Sequence, residues 1–403
     1  VGPVPNRQPS FRSLFALVGA LVLIEVMFYS ALAPLLPYYA HHLPLSKGAA
    51  GILTASYAAG SVLFALPLGL VVARVGVKRT IVVGAFVLAG SSLVFGFGRS
   101  PAVLDSARLI QGIAGTAIWI AGITWVADAA PEDRHGETVG ALLGIAIGGA
   151  LLGPVIGSAA RLTSPEIVFS VVAAAIATLG ACALAAPAPV GARLGGMAPA
   201  ALRAAARDGR VWAGTWFTML PATLLGVLDV LVPLRLNALG AGALVIGGVF
   251  LVSALLEAGA SPIFGRLTDR YGPPPLIRVG LVAAAAFAVV LPLPDTSWLL
   301  AVIAAPAGVA IGIAWVPANT LLSGVAEEHR LHQSMAFALW AFGWAAGITL
   351  GSAVGAPLAE ATSDAVPYAV VAVMCVVTFF GVAGRTASST EGRAEASAEL
   401  RGR

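Results

Sequence analysis

Five ionisable side chains stand inside long apolar runs of this sequence: Glu25, Asp105, Arg108, Asp229 and Glu257. An ionisable group held in the middle of a bilayer costs at least ~2.5–3.5 kcal/mol, so each is a candidate for binding or moving charge. Glu25 lies in the run Val-Leu-Ile-Glu25-Val-Met-Phe-Tyr29, with no basic residue within a turn. A carboxyl without a counter-ion in such a place suits the loading and release of a proton; the alternative is a carboxyl hydrogen-bonded to a neighbouring helix. Asp105 and Arg108, three residues apart, share a helix face, either as part of a proton pathway or as a self-neutralised pair. Gln111, one turn further on, can extend their network. Asp229 stands four residues before Pro233 and fits a substrate or proton site or an outer-gate hydrogen bond. Glu257 fits a cavity wall or a contact between helices.

The elements that position these groups follow from composition. Of 403 residues, 59% are hydrophobic and 10% are charged, against roughly 25% charged in soluble domains. Mean hydropathy is +0.93. These values exclude a soluble enzyme, a disordered chain and a disulfide-stapled secreted fold. The two cysteines, Cys182 and Cys375, each lie in an apolar run and read as packing residues. A helix needs about 20 residues to cross the hydrocarbon core. Apolar stretches of that kind fall near 14–38, 49–72, 80–98, 102–126, 137–159, 167–186, 211–235, 244–266, 276–294, 298–322, 333–357 and 365–384. An all-α membrane protein of twelve spans is therefore expected. The first run is full length and lacks a cleavage site, so it reads as a span and not as a signal peptide.

The division expected is a cytoplasmic N-terminus over 1–13, a six-helix half over 14–186, a cytoplasmic linker over 187–210, a second half over 211–384 and a disordered tail over 385–403. With the N-terminus inside, eighteen Lys and Arg fall on the cytoplasmic side and four (Lys47, Arg99, Arg161, Arg235) on the other, with Arg108 in a span. That asymmetry satisfies the positive-inside rule with both termini cytoplasmic.

The two halves repeat each other. Gly69-Leu-Val-Val-Ala73-Arg74-Val-Gly76-Val-Lys78-Arg79 ends the second span, and Gly265-Arg-Leu-Thr-Asp269-Arg270-Tyr-Gly272 ends the eighth, at an offset of 196 residues. The same offset maps Glu132 onto Glu328 and Arg134 onto Arg330. Parallel six-helix repeats of this kind are an architecture of secondary transporters. The first-half loop resembles the signature Gly-x-x-x-Asp-Arg-x-Gly-x-Lys/Arg-Lys/Arg of the major facilitator superfamily. Arg108-Leu-Ile-Gln111-Gly112 resembles its Arg-x-x-Gln-Gly motif. Gly140, Gly149, Gly153-Pro154 and Gly157 resemble the Gly-Pro motif of the twelve-span drug:proton antiporter branch.

The resemblance implies the major facilitator fold, with two pseudo-symmetric halves rocking about a central cavity. Related multidrug antiporters and vesicular monoamine transporters carry an acid in the first helix near the place of Glu25, and the monoamine transporters carry one before a proline in helix seven, as Asp229 is. In the family the arginine matching Arg108 is implicated in proton coupling. The chain departs from the monoamine transporters in lacking acids in its tenth and eleventh spans and a lysine in its second. It also carries Ala73 where the family signature has an acid, while the second copy keeps Asp269. A substitute clamp would bring Arg74, Lys78 and Arg79 to Glu327 and Glu328, and Asp269 and Arg270 to Glu132 through Glu137; simple capping of helix N-termini is the alternative for these acids.

Gly149, Gly153 and Gly157 recur every fourth residue and form a flat face for close helix approach, and Pro154 permits a bend. Gly343, Gly347, Gly351 and Gly355 echo them in span eleven. The pattern fits either tight packing or gating. Tyr29, Tyr57, Trp119, Trp315 and Trp340 are aromatic candidates for the cavity, with Asn319 as a polar anchor, although membrane-interface belts use the same residue types.

The expected function is a proton-coupled antiporter in the plasma membrane, exporting a small cationic or neutral amphiphile in multidrug fashion as protons neutralise Glu25. One proton moving down 100 mV supplies ~2.3 kcal/mol. The alternative is a proton symporter importing a small nutrient. No hydrolase, metalloprotease or Walker pattern occurs, so no enzyme, metal or cofactor is expected. Small-molecule substrate, protons and lipid are the expected partners of a monomer, without nucleic acid.

Overall fold

The structure is a computed structural model and describes residues 11–43, 45–130, 135–186, 207–329 and 333–381. Most of the expected linker, the loop carrying Glu132 and Arg134, Arg330, and the tail lie outside the described residues. What is described is helical throughout: α1 (Phe11–Ser30), α2 (Leu32–His42), α3 (Lys47–Val75), α4 (Val77–Phe97), α5 (Pro101–Ala129), α6 (His135–Leu162), α7 (Pro165–Ala185), α8 (Gly209–Ala238), α9 (Ala243–Tyr271), α10 (Pro273–Val290), α11 (Ser297–Ala304), α12 (Ala307–Glu328), α13 (Gln333–Ala361) and α14 (Ala365–Gly381). Among the described residues, eleven segments are long and apolar enough to cross a membrane, and α14 is a shorter apolar helix. The expected twelve spans are thus met by eleven on length, with the twelfth shorter.

Two expected single spans are broken. The first is α1 followed by α2, and the tenth is α11 followed by α12. Pro34 has no N–H to give the Ser30 carbonyl and its ring crowds that oxygen, so the helix breaks at Ala31. Pro306 acts in the same way at the join of α11 and α12.

The repeat is built into the backbone. Gly76 closes α3 with φ +92°, and Gly272 closes α9 with φ +78°; the two positions are 196 residues apart. A side chain is strained in that region, so each turn into the next helix calls for glycine. The helix pairs correspond as well: α6 packs on α1 as α13 packs on α8, and α3 on α5 as α9 on α12. The glycine stripes make the first of these contacts. A methyl group on Gly149, Gly153 or Gly157 would strike the backbone oxygens of Leu23, Met27 and Ala31. One on Gly347 or Gly351 would strike those of Met219 and Thr223, and one on Gly355 would meet Val227. Met219, Thr223 and Val227 are Leu23, Met27 and Ala31 shifted by 196. This is close packing of backbone on backbone, the first of the two roles open to the stripe.

The halves join through α3 against α13 and α6 against α9. Taking the end of the bundle that holds Phe11 and Gly381 as the near end, these contacts run along the far part. Ala58 and Val62 cluster with Ala345, Ile348 and Trp344. Further out, Gly51 lies under Ser352 and Ala356, and the Gly48 N–H donates to Glu360 at 2.6 Å. Lys47 Nζ pairs with Asp364 at 2.5 Å, and Arg161 donates to Asn237 at 2.6 Å.

Candidate functional site

Glu25 is 3% exposed, in the middle of α1. Its carboxylate accepts from two helices of the same half. The Tyr57 hydroxyl on α3 donates to Oε1, and the Trp119 indole N–H on α5 donates to Oε2 at 2.7 Å. Gly115 makes the space, since a methyl there would collide with Oε1 and lie 2.7 Å from the Tyr57 oxygen. Glu25 therefore has hydrogen-bond donors but no ion pair among the described residues. Tyr57 and Trp119, both expected to line the substrate site, are thus bonded to this acid.

Arg108 is 1% exposed and turns away from Asp105. Its guanidinium donates to the carbonyls of Phe28 at 3.1 Å and Tyr29 at 3.4 Å, and to Gln111 Oε1 at 3.3 Å. These carbonyls end α1 beside the Pro34 break, where a cation meets the negative end of the helix dipole. The charge also stands 4.8 Å from the Tyr57 ring centroid and 5.8 Å from that of Phe95. Gln111 passes its own amide to Ser92 at 3.5 Å. No ion pair joins Asp105 to Arg108 among the described residues, and Asp105 Oδ1 is buried without a hydrogen-bond partner. The expected self-neutralised pair does not form because Arg108 reaches the α1 terminus instead.

Tyr29 links this cluster to the second half. Its hydroxyl donates to Asp229 Oδ2 on α8 at 3.1 Å. Its ring lies 5.3 Å from Tyr57 and 5.0 Å, edge on, from Trp344 of α13. Beside this contact is a cavity of about 130 Å³ whose walls include Tyr29, Arg108, Asp229, Phe250, Ser253 and Glu257. Glu257 faces it from α9 and packs against Gly312 and Gly308 of α12. Of the expected substrate residues, Tyr29, Asp229 and Glu257 line the cavity. Tyr57, Gln111 and Trp119 lie behind it. Trp315 donates to the Thr218 carbonyl at 3.1 Å and its ring is 6.1 Å from Trp340, while Asn319 is half-buried one turn on.

Three contacts at or near the site have no signal in the sequence: the space left by Gly115, the Trp344 ring against Tyr29, and the Lys47–Asp364 bond, whose partners lie 317 residues apart.

At the near end, no ion pair among the described residues joins Arg74, Lys78 or Arg79 to Glu328. Glu328 is held by Arg210 through two hydrogen bonds, at 3.0 and 2.6 Å. Arg210 also pairs with Asp208, which accepts from His329 at 3.1 Å. Both partners hold the Asp208 carboxyl well below the usual range, Arg210 chiefly. Lys78 caps α7 by donating to the Ala186 carbonyl, and Arg74, Arg79, Asp269 and Arg270 are exposed. Of Ala73 only the backbone is described, and the expected partners Glu132 to Glu137 lie outside the described side chains. The remaining motif residues, Gly69 and Gly265, lie on α3 and α9 where expected.

Known proteins share this fold. The chain is similar to the MFS-type transporter ppzB of Metarhizium rileyi (strain RCEF 4871), 27% identical over 157 residues, 38% of this chain and 32% of that protein. It is similar to Multidrug resistance protein 2 of Bacillus subtilis (strain 168), 23% identical over 143 residues and 36% of each. The chain thus spans about a third of the length of the curated relatives it matches. In fold it resembles a bacterial homologue of the human lysosomal transporter Spinster, solved in an inward-facing and occupied conformation, with a TM-score of 0.74 and 13% identity over 95% of this chain and 98% of that one. The family model described as Major Facilitator Superfamily matches residues 18–330 and 222–401. With that match over most of its length and the fold to go with it, this multi-pass membrane chain belongs to the Major Facilitator Superfamily, a family of transporters and not of enzymes.

Proposed function

We propose that the protein is a proton-coupled antiporter of the drug:proton branch that exports a small cationic or neutral amphiphile, with Glu25 as the proton-carrying group. The observation that carries this reading is the Glu25 carboxylate, sealed in the first half between two neutral donors and without an ion pair among the described residues. Such a group changes its hydrogen bonding when it gains a proton, because a carboxylate only accepts whereas the acid also donates. The cavity supports a cationic substrate class. Asp229 and Glu257 face it, and the basic group beside them, Arg108, already gives both terminal nitrogens to Phe28, Tyr29 and Gln111. A phosphate or dicarboxylate would need several unengaged arginines or lysines. The likeness to a protein called Multidrug resistance protein 2 agrees with export.

The near end is cytoplasmic in this reading, so that both termini lie inside a plasma-membrane monomer. The joined far end then makes this an inward-facing state, and the exposed Arg74 and Arg79 take Glu328 over from Arg210 when the near end closes. The two halves are 14–186 and 211–384, as read from the sequence. In the outward-facing state a proton taken by Glu25 displaces the substrate; in the inward-facing state its loss readmits one.

Proteoliposomes with an imposed pH gradient and tetraphenylphosphonium as the probe test this. Proton entry should drive the probe the opposite way, and Glu25→Gln should abolish the coupling. Movement of probe and proton in the same direction would establish symport, and coupling that survives Glu25→Gln would remove the acid from its role.

A further inference from the structure

Tyr29 occupies a place that neither proton binding nor substrate binding by itself explains. Three of its parts are engaged by three groups. Its carbonyl is held by Arg108 at 3.4 Å, its ring lies against Tyr57 at 5.3 Å, and its hydroxyl donates to Asp229 at 3.1 Å. Tyr57 is the residue whose own hydroxyl binds Glu25. Asp229 belongs to the other half and lines the cavity. The other hydrogen bonds noted between the halves, such as Gly48–Glu360 and Arg161–Asn237, lie towards the far end. The Tyr29–Asp229 bond joins the halves at the level of the cavity, one ring away from the residue that binds Glu25.

We propose that Tyr29 is a positioning residue that couples the protonation of Glu25 to the opening between the halves, through a hydroxyl bond to Asp229 that a bound cation displaces. The proposal rests on the reading of Glu25 as the proton carrier. With Glu25 ionised, Tyr57 is committed as its donor, and the Tyr29 ring packs against the fixed Tyr57 ring. A protonated Glu25 no longer needs that donor, so Tyr57 is free to turn and the wall behind Tyr29 changes. On the other side, a cation at Asp229 competes with the Tyr29 hydroxyl for the same carboxylate. Either event bears on one inter-half bond, which is what linkage between two ligands requires.

The charged and titratable groups that face this chain of contacts are few. Arg108 on α5 lies beside both tyrosines, with Asp105 one turn before it. Glu257 on α9 shares the cavity wall. The adjoining stretches of α6 and α13, around Gly149–Gly157 and Trp344, carry no titratable side chain. Asp105, Asp229 and Glu257 are therefore competing sources of a pH response, and Glu257, which shares the cavity wall, enters the test as the control.

The test uses the whole protein in lipid nanodiscs, with Cys182→Ser to remove the exposed thiol and spin labels on Val75→Cys and Tyr271→Cys, two exposed near-end positions 196 residues apart. The distance between the halves is read from pH 5 to 8 without substrate. The wild type should shift its distance distribution with pH. Tyr29→Phe, which keeps the ring and loses the hydroxyl, should reduce the amplitude of that shift at least threefold. Asp229→Leu, which keeps the bulk and leaves no acceptor, should do the same, and the double variant should lose no more than either alone, because both remove one bond. Glu257→Gln should retain the response. A Tyr29→Phe profile equal to wild type, with Glu25→Gln flat, overturns the role of Tyr29 and leaves the proton carrier standing. Additive losses in the double variant also overturn it. A flat wild type, or a Glu25→Gln variant that keeps the full response, removes the proton reading and this proposal together.

Discussion

The indole N–H of Trp119 is bonded to Glu25 Oε2 at 2.7 Å, across the contact between α5 and α1. A hydrogen bond to an ionised partner contributes roughly 1.5–3 kcal/mol, and its loss leaves a buried charge with one donor fewer. Trp119→Phe keeps the aromatic volume but not the donor. It should lower proton-driven transport by about ten- to a hundredfold while the protein still elutes as a single folded species. Transport at the wild-type rate would show that the indole does not hold the working carboxylate.

The opposite edge of the same carboxylate is bounded by Gly115. Gly115→Ala would put a carbon into the space taken by Glu25 Oε1 and 2.7 Å from the Tyr57 hydroxyl. The whole site must shift to admit it, so transport should fall as far as in Glu25→Gln although no titratable group has been removed. Gly144, where an added methyl group would meet nothing within 4 Å, is the matched control. Gly144→Ala should transport normally. If the two alanine variants behave alike in transport assays, the space at Gly115 has no bearing on Glu25.

The paired glycine stripes give a prediction whose sign decides the matter. An idle glycine in a helix interior should gain about 1 kcal/mol of stability on replacement by alanine. Gly153 and Gly351 instead meet backbone oxygens of Met27 and Thr223, and Gly153 meets the Ser30 hydroxyl as well. Overpacking at such a contact costs roughly 1–3 kcal/mol. Gly153→Ala and Gly351→Ala should therefore both lower the melting temperature in detergent, by similar amounts because the two contacts are repeats of each other. A rise in either would show that the helices have room to separate there.

Much of the fold can be read from the chain because lipid imposes its own arithmetic. Helix lengths follow from where charges are missing, the candidate acids from the few that remain there, and the 196-residue repeat from the matching loop motifs. The breaks at Ala31 and Ala305 are not legible in that way, since a proline within an apolar run bends a span without interrupting its hydropathy. The site is legible as a set of residues and not as a set of bonds. Tyr57 and Trp119 stand out as aromatic and polar, but that both turn to Glu25 depends on which faces of α3 and α5 meet α1. Asp105 and Arg108 have the right spacing to pair, yet the carbonyls of Phe28 and Tyr29 make the stronger claim on the guanidinium, and these lie on another helix. Symmetry points Glu328 at the basic turn after α3; Arg210, just beyond the connection between the halves, reaches it first.

That near-end cluster has a pH dependence of defined sign. Arg210 and then His329 depress the Asp208 carboxyl below its unfolded value. A depressed acid contributes stability above the unfolded pKa, near 4, and loses it as pH falls through the folded value. Asp208→Asn should thus destabilise the protein at neutral pH and matter progressively less below about pH 4. The cluster is partly exposed, so salt should shrink the difference. Melting curves of the two proteins from pH 3 to 7 check this, and a constant offset across that range would show that Asp208 acts as the α8 cap alone, through its bond to the Arg210 N–H at 2.8 Å.

The far end offers the converse experiment, in which charge is reversed and not removed. Lys47 pairs with Asp364 at 2.5 Å, and Arg235 stands 3.9 Å from the other oxygen of the same carboxylate. Glu360 accepts from the Gly48 N–H at the start of α3, where the helix dipole favours an acid. Lys47 is 42% exposed, and a single pair of that kind is worth about 0–1 kcal/mol. Lys47→Ala should accordingly move the balance between the two states of the transporter by no more than about fivefold. Lys47→Glu sets a third acid beside Asp364 and Glu360 and should shift it further towards the state open at the far end. Cross-linking efficiency between cysteines introduced at Ser46 and Ser363 measures the closed fraction. Restoring opposite charge with Asp364→Lys should recover only part of it, because Arg235 then faces a new lysine. Full recovery would mean that Arg235 does not share in the contact, and an unchanged closed fraction in Lys47→Glu would mean that the far end is held by helix packing alone.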